Sequence, residues 1–194
     1  MHQVEVLILQ HPLEVHEAKG TARLLHLSLP RSRMAVGEAF DAQTLHALLN
    51  APFDVQTPAA TTIAIPPRTL LLYPASPQDA ALGIPAPPTL APAWLQAPER
   101  LRLVVLDGTW RKSRKMLYLN PALQQLPRLP LHQLPPSRYR IRKAHQPHQL
   151  STLEATCAAL AQLEGGAARF EPLLAAFDGL VAQLLQAQSP PVRP

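Results

Sequence analysis

The chain contains 194 residues, which is enough for one domain with a buried core. Because 47% of the residues are apolar and 16% are charged, the composition excludes an intrinsically disordered protein. The single cysteine, Cys157, excludes an internal disulfide and a zinc site made of cysteines. The start has no signal-peptide pattern and no apolar run approaches the ~20 residues of a membrane span, so we expect a cytoplasmic protein.

Positive charge is concentrated in one segment, although the net charge of the whole chain is only +5. Residues 100–143 contain 11 lysines and arginines and one acidic residue, Asp107, whereas the rest of the chain contains 7 basic and 12 acidic residues. A block of one sign favours a polyanionic partner such as a nucleic acid. The alternative is that folding distributes these side chains over the whole surface.

The first half of the sequence predicts three strands and one helix. Residues 4–9 are a short apolar run, and residues 13–25 have mainly helical composition. Residues 61–65 and 70–73 are apolar runs closed by prolines, so each predicts a strand. Residues 74–98 are rich in proline and alanine and predict an ordered but irregular connection over the surface.

The second half predicts the strand and helix of an α/β unit. Residues 101–107 are an apolar strand that ends in Asp-Gly and leads into a helix over residues 109–119. A short strand is predicted at residues 139–142. Leucines, valine and phenylalanine at helical spacing predict a last helix from about Pro172.

A second helix start is visible in the spacing of Ser151 and Glu154, which fits a capping box. The helix is expected to run to about Leu163 and to stop at the following glycines. Strands that alternate with helices predict a single α/β domain over residues 1–188, with a sheet flanked by helices. Residues 189–194 are expected to be a disordered tail.

Three segments carry residues suited to chemistry at strand ends or helix starts, where open α/β sheets bind ligands. They are residues 73–75, 107–110 and 149–152. Asp107 either orients an amine or accepts a proton there, or it caps the following helix. Trp110 either stacks on a base or belongs to the core. The histidine pairs 11/16 and 145/148 lack acidic or cysteine partners in sequence, so no metal site is expected.

The segment LDGTWRKSRKML resembles the signature of the DTW-domain family. Asp107, Thr109 and Trp110 match its Asp-Thr-Trp core, with Gly108 between the acid and the threonine. Residues 71–75 (LLYPA) and 150–155 (LSTLEA) resemble two further blocks of the family. The first block of the family is matched by six residues upstream: His11, Pro12, Glu14, Lys19, Thr21 and Arg23.

The resemblance implies an S-adenosylmethionine-dependent enzyme that transfers a 3-amino-3-carboxypropyl group to N3 of a uridine in tRNA and releases methylthioadenosine. It also implies a SPOUT-like fold with a knotted cofactor-binding region. Relatives commonly carry N-terminal cysteines that look like a zinc site, and this chain has none. The alternatives are a SPOUT-type RNA methyltransferase and a non-catalytic RNA-binding protein. No stable protein partner is predicted.

The resemblance further implies which residues form the site. Asp107, Thr109 and Trp110 are the expected catalytic residues. Lys19 and Arg23 are candidates for the carboxylate of the cofactor. The other expected cofactor-binding residues are Leu72, Tyr73, Pro74, Leu106, Asp107, Gly108, Leu150, Ser151, Thr152 and Glu154. The expected RNA-binding residues come instead from the basic segment, and they are Arg111, Lys112, Arg114, Lys115, Arg138, Arg140, Arg142 and Lys143.

Overall fold

The computed structural model describes residues 2–17, 20–53, 65–132, 137 and 150–188. Within these residues the strands are β1 (Glu5–Gln10), β2 (Ser32–Val36), β3 (Arg68–Leu72) and β4 (Leu101–Asp107). They pair in parallel as one sheet in the order β2-β1-β4-β3. The described residues therefore form an α/β fold, as the sequence predicts.

The two central strands are apolar because both of their faces are covered. Every residue of β1 and of β4 is buried, which is the usual state of a parallel strand with helices on both sides. Their register pairs Gln10 with Asp107, so both strands end at the same level. Beyond the other side of β3, residues 127–129 run alongside it, and the Leu71 N–H donates to the Pro127 carbonyl at 2.9 Å.

Helices lie on both faces of the sheet. Their bounds are α1 (Ala22–Ser28), α2 (Ala42–Asn50), α3 (Pro77–Ala81), α4 (Trp110–Leu119), α5 (Pro121–Gln124), α6 (Thr152–Glu164) and α7 (Glu171–Gln188). One core joins Val6, Ile8 and Val105 of the sheet to α1, α6 and α7. The other joins Leu7, Leu9 and Val104 to α2, α4 and α5. No helix among the described residues is long and apolar enough to cross a membrane.

Most of the predicted elements are confirmed, and one is wrong. Strands β1, β3 and β4 and helices α4, α6 and α7 lie where the sequence predicts them. The single helix expected over residues 13–25 is instead a 3-10 turn at Pro12–Glu14 and the separate helix α1, which begins only at Ala22, two residues after Gly20. Strand β2 and helix α2 were not predicted. Residues 61–64, 139–142 and 189–194 lie outside the described residues.

A buried ion pair ties β1 to β4 and anchors α2. Arg102 is fully buried, and its Nε and Nη2 donate to Glu5 Oε2 at 3.0 and 2.6 Å. The same guanidinium donates to the Leu48 and Ala51 carbonyls at the end of α2, at 2.8 and 2.7 Å. Its carbon also lies 4.1 Å from the centroid of the Phe53 ring. All the charge of this arginine is therefore neutralised inside the fold.

We expect Arg102→Met to lower the free energy of unfolding by about 3–5 kcal/mol, because it leaves the Glu5 carboxylate without its buried partner. Urea unfolding followed by circular dichroism measures the loss. The matched control is Arg31→Met, since Arg31 contacts the same carboxylate at 3.3 Å but its side chain is 40% exposed. Its loss should be below about 1 kcal/mol. Equal losses in the two variants would contradict the dominant role of the Arg102 pair.

Candidate functional site

The topology of the sheet singles out the junction between β1 and β4. The helix that follows β1, α1, packs on one face of the sheet, and the helix that follows β4, α4, packs on the opposite face. In open α/β sheets, ligands bind at the carboxyl ends of two such strands, where the connections diverge. Gln10 and Asp107 are the last residues of these two strands. The candidate site therefore begins with this pair.

Asp107 is held by side chains from two other elements. The Gln10 Nε2 group donates to Asp107 Oδ2 at 2.9 Å, and the Thr152 hydroxyl at the start of α6 donates to Oδ1 at 2.7 Å. The residue is only 5% exposed. Hydrogen bonds to both oxygens fix the plane of the carboxylate, so its orientation is set before any ligand binds.

The start of α6 brings two of the family-like segments to this carboxylate. The predicted capping box is confirmed: the Ser151 hydroxyl accepts from the Glu154 N–H at 3.2 Å, and Glu154 Oε2 accepts from the Ser151 N–H at 2.8 Å. The Thr21 hydroxyl, next to α1, accepts from the Leu153 N–H at 3.3 Å. Residues from the first and last family-like segments therefore meet beside Asp107.

The start of α4 explains the glycine of the Asp-Gly-Thr-Trp segment. Thr109 is the N-cap of α4, so the capping role considered for Asp107 belongs to Thr109. A Cβ on Gly108 would lie 3.2 Å from the Cβ of Lys112 and 3.6 Å from the Cβ of His11. Because contacts as short as 3.2 Å force a neighbour to move, the tight packing of α4 against the end of β1 favours glycine here.

Trp110 lies on the surface, so of the two alternatives considered for it, a place in the core is excluded. The residue is 42% exposed, and its ring contacts Tyr73 edge-on with a centroid distance of 5.9 Å. Tyr73, which directly follows β3, is buried, and desolvation raises the pKa of its hydroxyl. Two aromatic side chains, of the kind that stack on bases, therefore lie at the edge of the site, and the Trp110 side chain is accessible from solvent.

The predicted leucines lie at the same edge of the sheet. Leu72 ends β3, Leu106 is the penultimate residue of β4, and Leu150 precedes the N-cap of α6. Leu106 is 8% exposed, whereas Leu72 and Leu150 are partly exposed. These three positions therefore offer apolar surface and backbone groups near Asp107. Pro74, one residue beyond Tyr73, is exposed.

Sequence reasoning missed a buried ion pair at the end of β3. The Nη1 group of Arg128 donates to Asp79 Oδ2 at 2.8 Å and to the Pro74 carbonyl at 3.0 Å. Its guanidinium carbon lies 5.3 Å from the centroid of the Tyr73 ring. Nε and Nη2 of Arg128 and Oδ1 of Asp79 are shielded from solvent and have no hydrogen-bond partner among the described residues. Each such group costs about 1–3 kcal/mol, more if charged. An arginine flanked by leucines and prolines was the available signal.

A second polar cluster surrounds His11. The Leu13 N–H donates to His11 Nδ1 at 3.1 Å, which assigns the ring proton to Nε2, and Nε2 donates to Glu38 Oε1 at 2.8 Å. Hydrogen bonds from Lys115, and then from His11, lower the pKa of Glu38. Within the described ranges, no group of three His, Cys, Asp or Glu side chains is arranged to hold a metal ion.

The single cysteine does not belong to the site. Cys157 lies on α6, is 2% exposed and packs in the core beneath α1 and α7. Burial raises the pKa of its thiol to about 12. The thiolate is therefore a negligible fraction at neutral pH, and we exclude Cys157 as a nucleophile.

The basic segment divides into internal and surface residues. Arg102 and Arg128 are buried in ion pairs, so two of its 11 basic residues add nothing to the surface charge. On α4, Arg111 and Lys115 are exposed, and Lys112 and Arg114 are partly buried. Lys112 pairs with Glu14 at 2.7 Å, and Lys115 pairs with Glu38 at 2.8 Å. Folding thus leaves Arg111 as the most accessible unpaired cation of α4 in the described part of the chain.

The remaining predicted residues are only partly accounted for. Arg23 is exposed in the first turn of α1, two residues after Thr21, which bonds to α6. Five predicted residues lie outside the described ones: Lys19, Arg138, Arg140, Arg142 and Lys143.

Comparison with known proteins gives one family and several relatives. The family model described as DTW domain matches residues 1–185. A Drosophila melanogaster protein named tRNA-uridine aminocarboxypropyltransferase 2 is 32% identical over 162 residues, which is 82% of this chain and 56% of that protein. Proteins of the same name from Macaca fascicularis and Mus musculus are 26% and 28% identical over 185 residues, 92% of this chain and 54% of each.

The chain spans about half the length of these curated relatives. No solved structure matches the chain significantly. The relatives therefore carry information on the family, and the fold rests on the structure described above.

We expect Thr152→Val to lower the free energy of unfolding by about 1.5–3 kcal/mol, because the Asp107 carboxylate loses a charge-assisted hydrogen bond of 2.7 Å. Thr152→Ser is the control, since it keeps the hydroxyl and removes only a methyl group. Urea unfolding at pH 7 compares the two variants with the parent chain. A valine variant as stable as the serine variant would show that this hydrogen bond does not contribute.

Proposed function

We propose that this chain, which belongs to the DTW domain family, transfers the 3-amino-3-carboxypropyl group of S-adenosylmethionine to N3 of a uridine in tRNA. The coproduct is methylthioadenosine. The observation that carries the proposal is the position of Asp107 in its Asp-Gly-Thr-Trp segment. It lies where the connections of β1 and β4 diverge, and Gln10 and Thr152 hold it there. The name of the relatives supports the choice of tRNA uridine as substrate.

The residues at this edge fit S-adenosylmethionine. Its adenosine needs apolar surface and backbone hydrogen-bond groups, and Leu72, Leu106 and Leu150 lie at three segment ends that can supply both. Its charged amino acid part needs polar partners, and near the end of β3 Arg128 and Asp79 have buried polar atoms that no other described residue binds. The proposal includes a SPOUT-like, knotted arrangement of these segments, supported by the resemblance and by their convergence on one edge.

The protein contributes to this reaction more by positioning S-adenosylmethionine and uridine than by supplying a reactive group of its own. When bound, S-adenosylmethionine supplies a sulfonium centre, which activates the methylene carbon of the aminocarboxypropyl group for attack. The N–H of uridine N3 is a weak acid, and Asp107 either accepts its proton or fixes the position of the base. Because two donors fix the Asp107 carboxylate, it needs little reorganisation for either role.

Thr109 and Trp110 have separate roles in this proposal. Thr109 caps α4 and thereby sets the path of the chain between Asp107 and the helix. The exposed Trp110 ring, steadied by its edge contact with Tyr73, offers a surface on which the uracil base stacks. Arg111, adjacent to Trp110 and exposed, is placed to contact the RNA backbone beside that base.

The proposal predicts the products of incubation with S-adenosylmethionine and unmodified tRNA. Methylthioadenosine should accumulate, and digested tRNA should contain aminocarboxypropyl-uridine, both identified by mass spectrometry. S-adenosylhomocysteine as the coproduct would make the protein a methyltransferase. Binding of tRNA without either coproduct would favour a non-catalytic RNA-binding protein.

In the same assay we expect Asp107→Asn to lower the transfer rate at least about 100-fold, because the proton acceptor or base-positioning group is neutralised. Its circular dichroism spectrum should stay unchanged. The control is Asp41→Asn, which alters an exposed carboxylate at the N-cap of α2, a position where asparagine is also a good cap. Turnover of the Asp107 variant at the control's rate would refute the catalytic assignment.

The RNA surface can be tested apart from the chemistry. We expect Arg111→Glu to weaken tRNA binding several-fold and to reduce the salt slope of log Kd by about 0.7–0.9, the change for one lost phosphate contact. Fluorescence anisotropy over a salt series measures both quantities. Arg169→Glu is the control, because Arg169 is also an exposed arginine but lies outside residues 100–143. Identical curves for all three proteins would exclude α4 from the RNA surface.

A further inference from the structure

The ion pair of Arg128 and Asp79 presents unused atoms of opposite charge. Nη1 of Arg128 is occupied by Asp79 Oδ2 and the Pro74 carbonyl. In the part of the chain that the structure describes, its Nε and Nη2 groups, which form the opposite edge of the guanidinium, have no hydrogen-bond partner. Oδ1 of Asp79 likewise has none among these residues. Both residues are more than nine-tenths buried, with exposures of 8% and 6%.

The free edge of Arg128 has the geometry that binds carboxylates best. Nε–H and Nη2–H are parallel and spaced to donate to both oxygens of one carboxylate. The free oxygen of Asp79 is a charged acceptor that suits an ammonium group. A carboxylate and an ammonium on the same carbon atom are the two ends of an α-amino acid group. The cluster therefore matches a zwitterion better than it matches an isolated anion such as phosphate.

The cluster lies at the same edge of the sheet as Asp107. Pro74, whose carbonyl binds Arg128, follows β3 by two residues, and β3 runs parallel to β4 with Leu72 paired to Val105. The Tyr73 ring connects the cluster to the site, because it contacts both Arg128 and Trp110. Arg23, the arginine expected from the resemblance, is exposed on α1 and lacks such a setting.

We propose that Arg128 binds the α-carboxylate, and Asp79 the α-ammonium, of the aminocarboxypropyl group in the donor molecule. This inference rests on the proposed function and adds the residues that select a donor with an intact amino acid group. Fixing the carboxylate and the ammonium also directs the methylene carbon of this group that is bonded to sulfur, rather than the methyl carbon, into the reaction site. A purely structural alternative is that the pair only fastens residues 74–79 to residues 127–129.

Two adenosine thioethers separate the inference from its alternative. S-adenosylhomocysteine carries the aminocarboxypropyl group on its sulfur, whereas methylthioadenosine carries a methyl group there. Isothermal titration of both ligands into the parent chain, Arg128→Lys and Asp79→Asn gives a ratio of two Kd values for each protein. Lysine keeps the charge that pairs with Asp79 and loses the parallel donors, and asparagine keeps the shape of the aspartate.

We expect each variant to bind S-adenosylhomocysteine about tenfold more weakly or worse, and methylthioadenosine as tightly as the parent chain does. Arg68→Lys is the matched control, because Arg68 also lies over an aromatic ring and donates to a carbonyl, but at the opposite end of β3. Both of its Kd values should be unchanged. Thermal unfolding verifies that each variant is folded. If Arg128→Lys does not fold, the two Kd values of Asp79→Asn alone test the inference.

Equal weakening of both ligands in the variants, or no change in either, would overturn the inference and leave the proposed function intact. A parent chain that binds methylthioadenosine as tightly as S-adenosylhomocysteine would overturn it too, because the amino acid group would then have no partner. A parent chain that binds neither thioether and releases no methylthioadenosine from S-adenosylmethionine would refute the proposed function itself, and the inference with it.

Discussion

The structure depends on one constraint, the burial of two parallel strands on both faces. Helices must cover each face of β1 and β4, so the chain leaves these strands in opposite directions. The divergence leaves the ends of both strands uncovered by their own connections. Gln10 and Asp107 occupy these ends, and their hydrogen bond joins strands that are distant in sequence. The position of the candidate site therefore follows from the way in which helices cover the two faces of the sheet.

Polar groups buried near this edge are satisfied by residues from distant segments. Thr152 and Gln10 bind Asp107, and Thr21 binds the start of α6. Each contact joins segments that belong to different elements, so the same interactions that shape the site also fix the tertiary structure. Within the part of the chain that the structure describes, Arg128, Asp79 and the Tyr73 hydroxyl depart from this pattern, since each has a buried polar atom without a hydrogen-bond partner. Each such group in a folded protein requires an explanation, and a bound ligand is one.

The features that could be predicted from the sequence are those that depend on a few neighbouring residues. The apolar runs of β1 and β4, the capping box of α6 and the Asp-Gly-Thr-Trp segment are all legible within a few residues. Prediction from the sequence failed at β2, whose residues are partly exposed and do not alternate in burial. It also failed at α2, although the N-cap Asp41 and leucines at helical spacing were a usable signal there. It also failed at Arg128 and Asp79, because a buried pair separated by 49 residues has no local signature. The environment of the Trp110 side chain was left open because the sequence alone does not determine which side of a helix start faces solvent.

The N-termini of α4 and α6 both lie at the edge where Asp107 is found, capped by Thr109 and Ser151. The aligned peptide dipoles of two helices thus direct partial positive charge at one buried carboxylate. This local field arises from the backbone and decays within a turn, so it does not depend on the lysines and arginines farther along α4. The charged outer surface can therefore vary while the electrostatic environment of Asp107 stays constant.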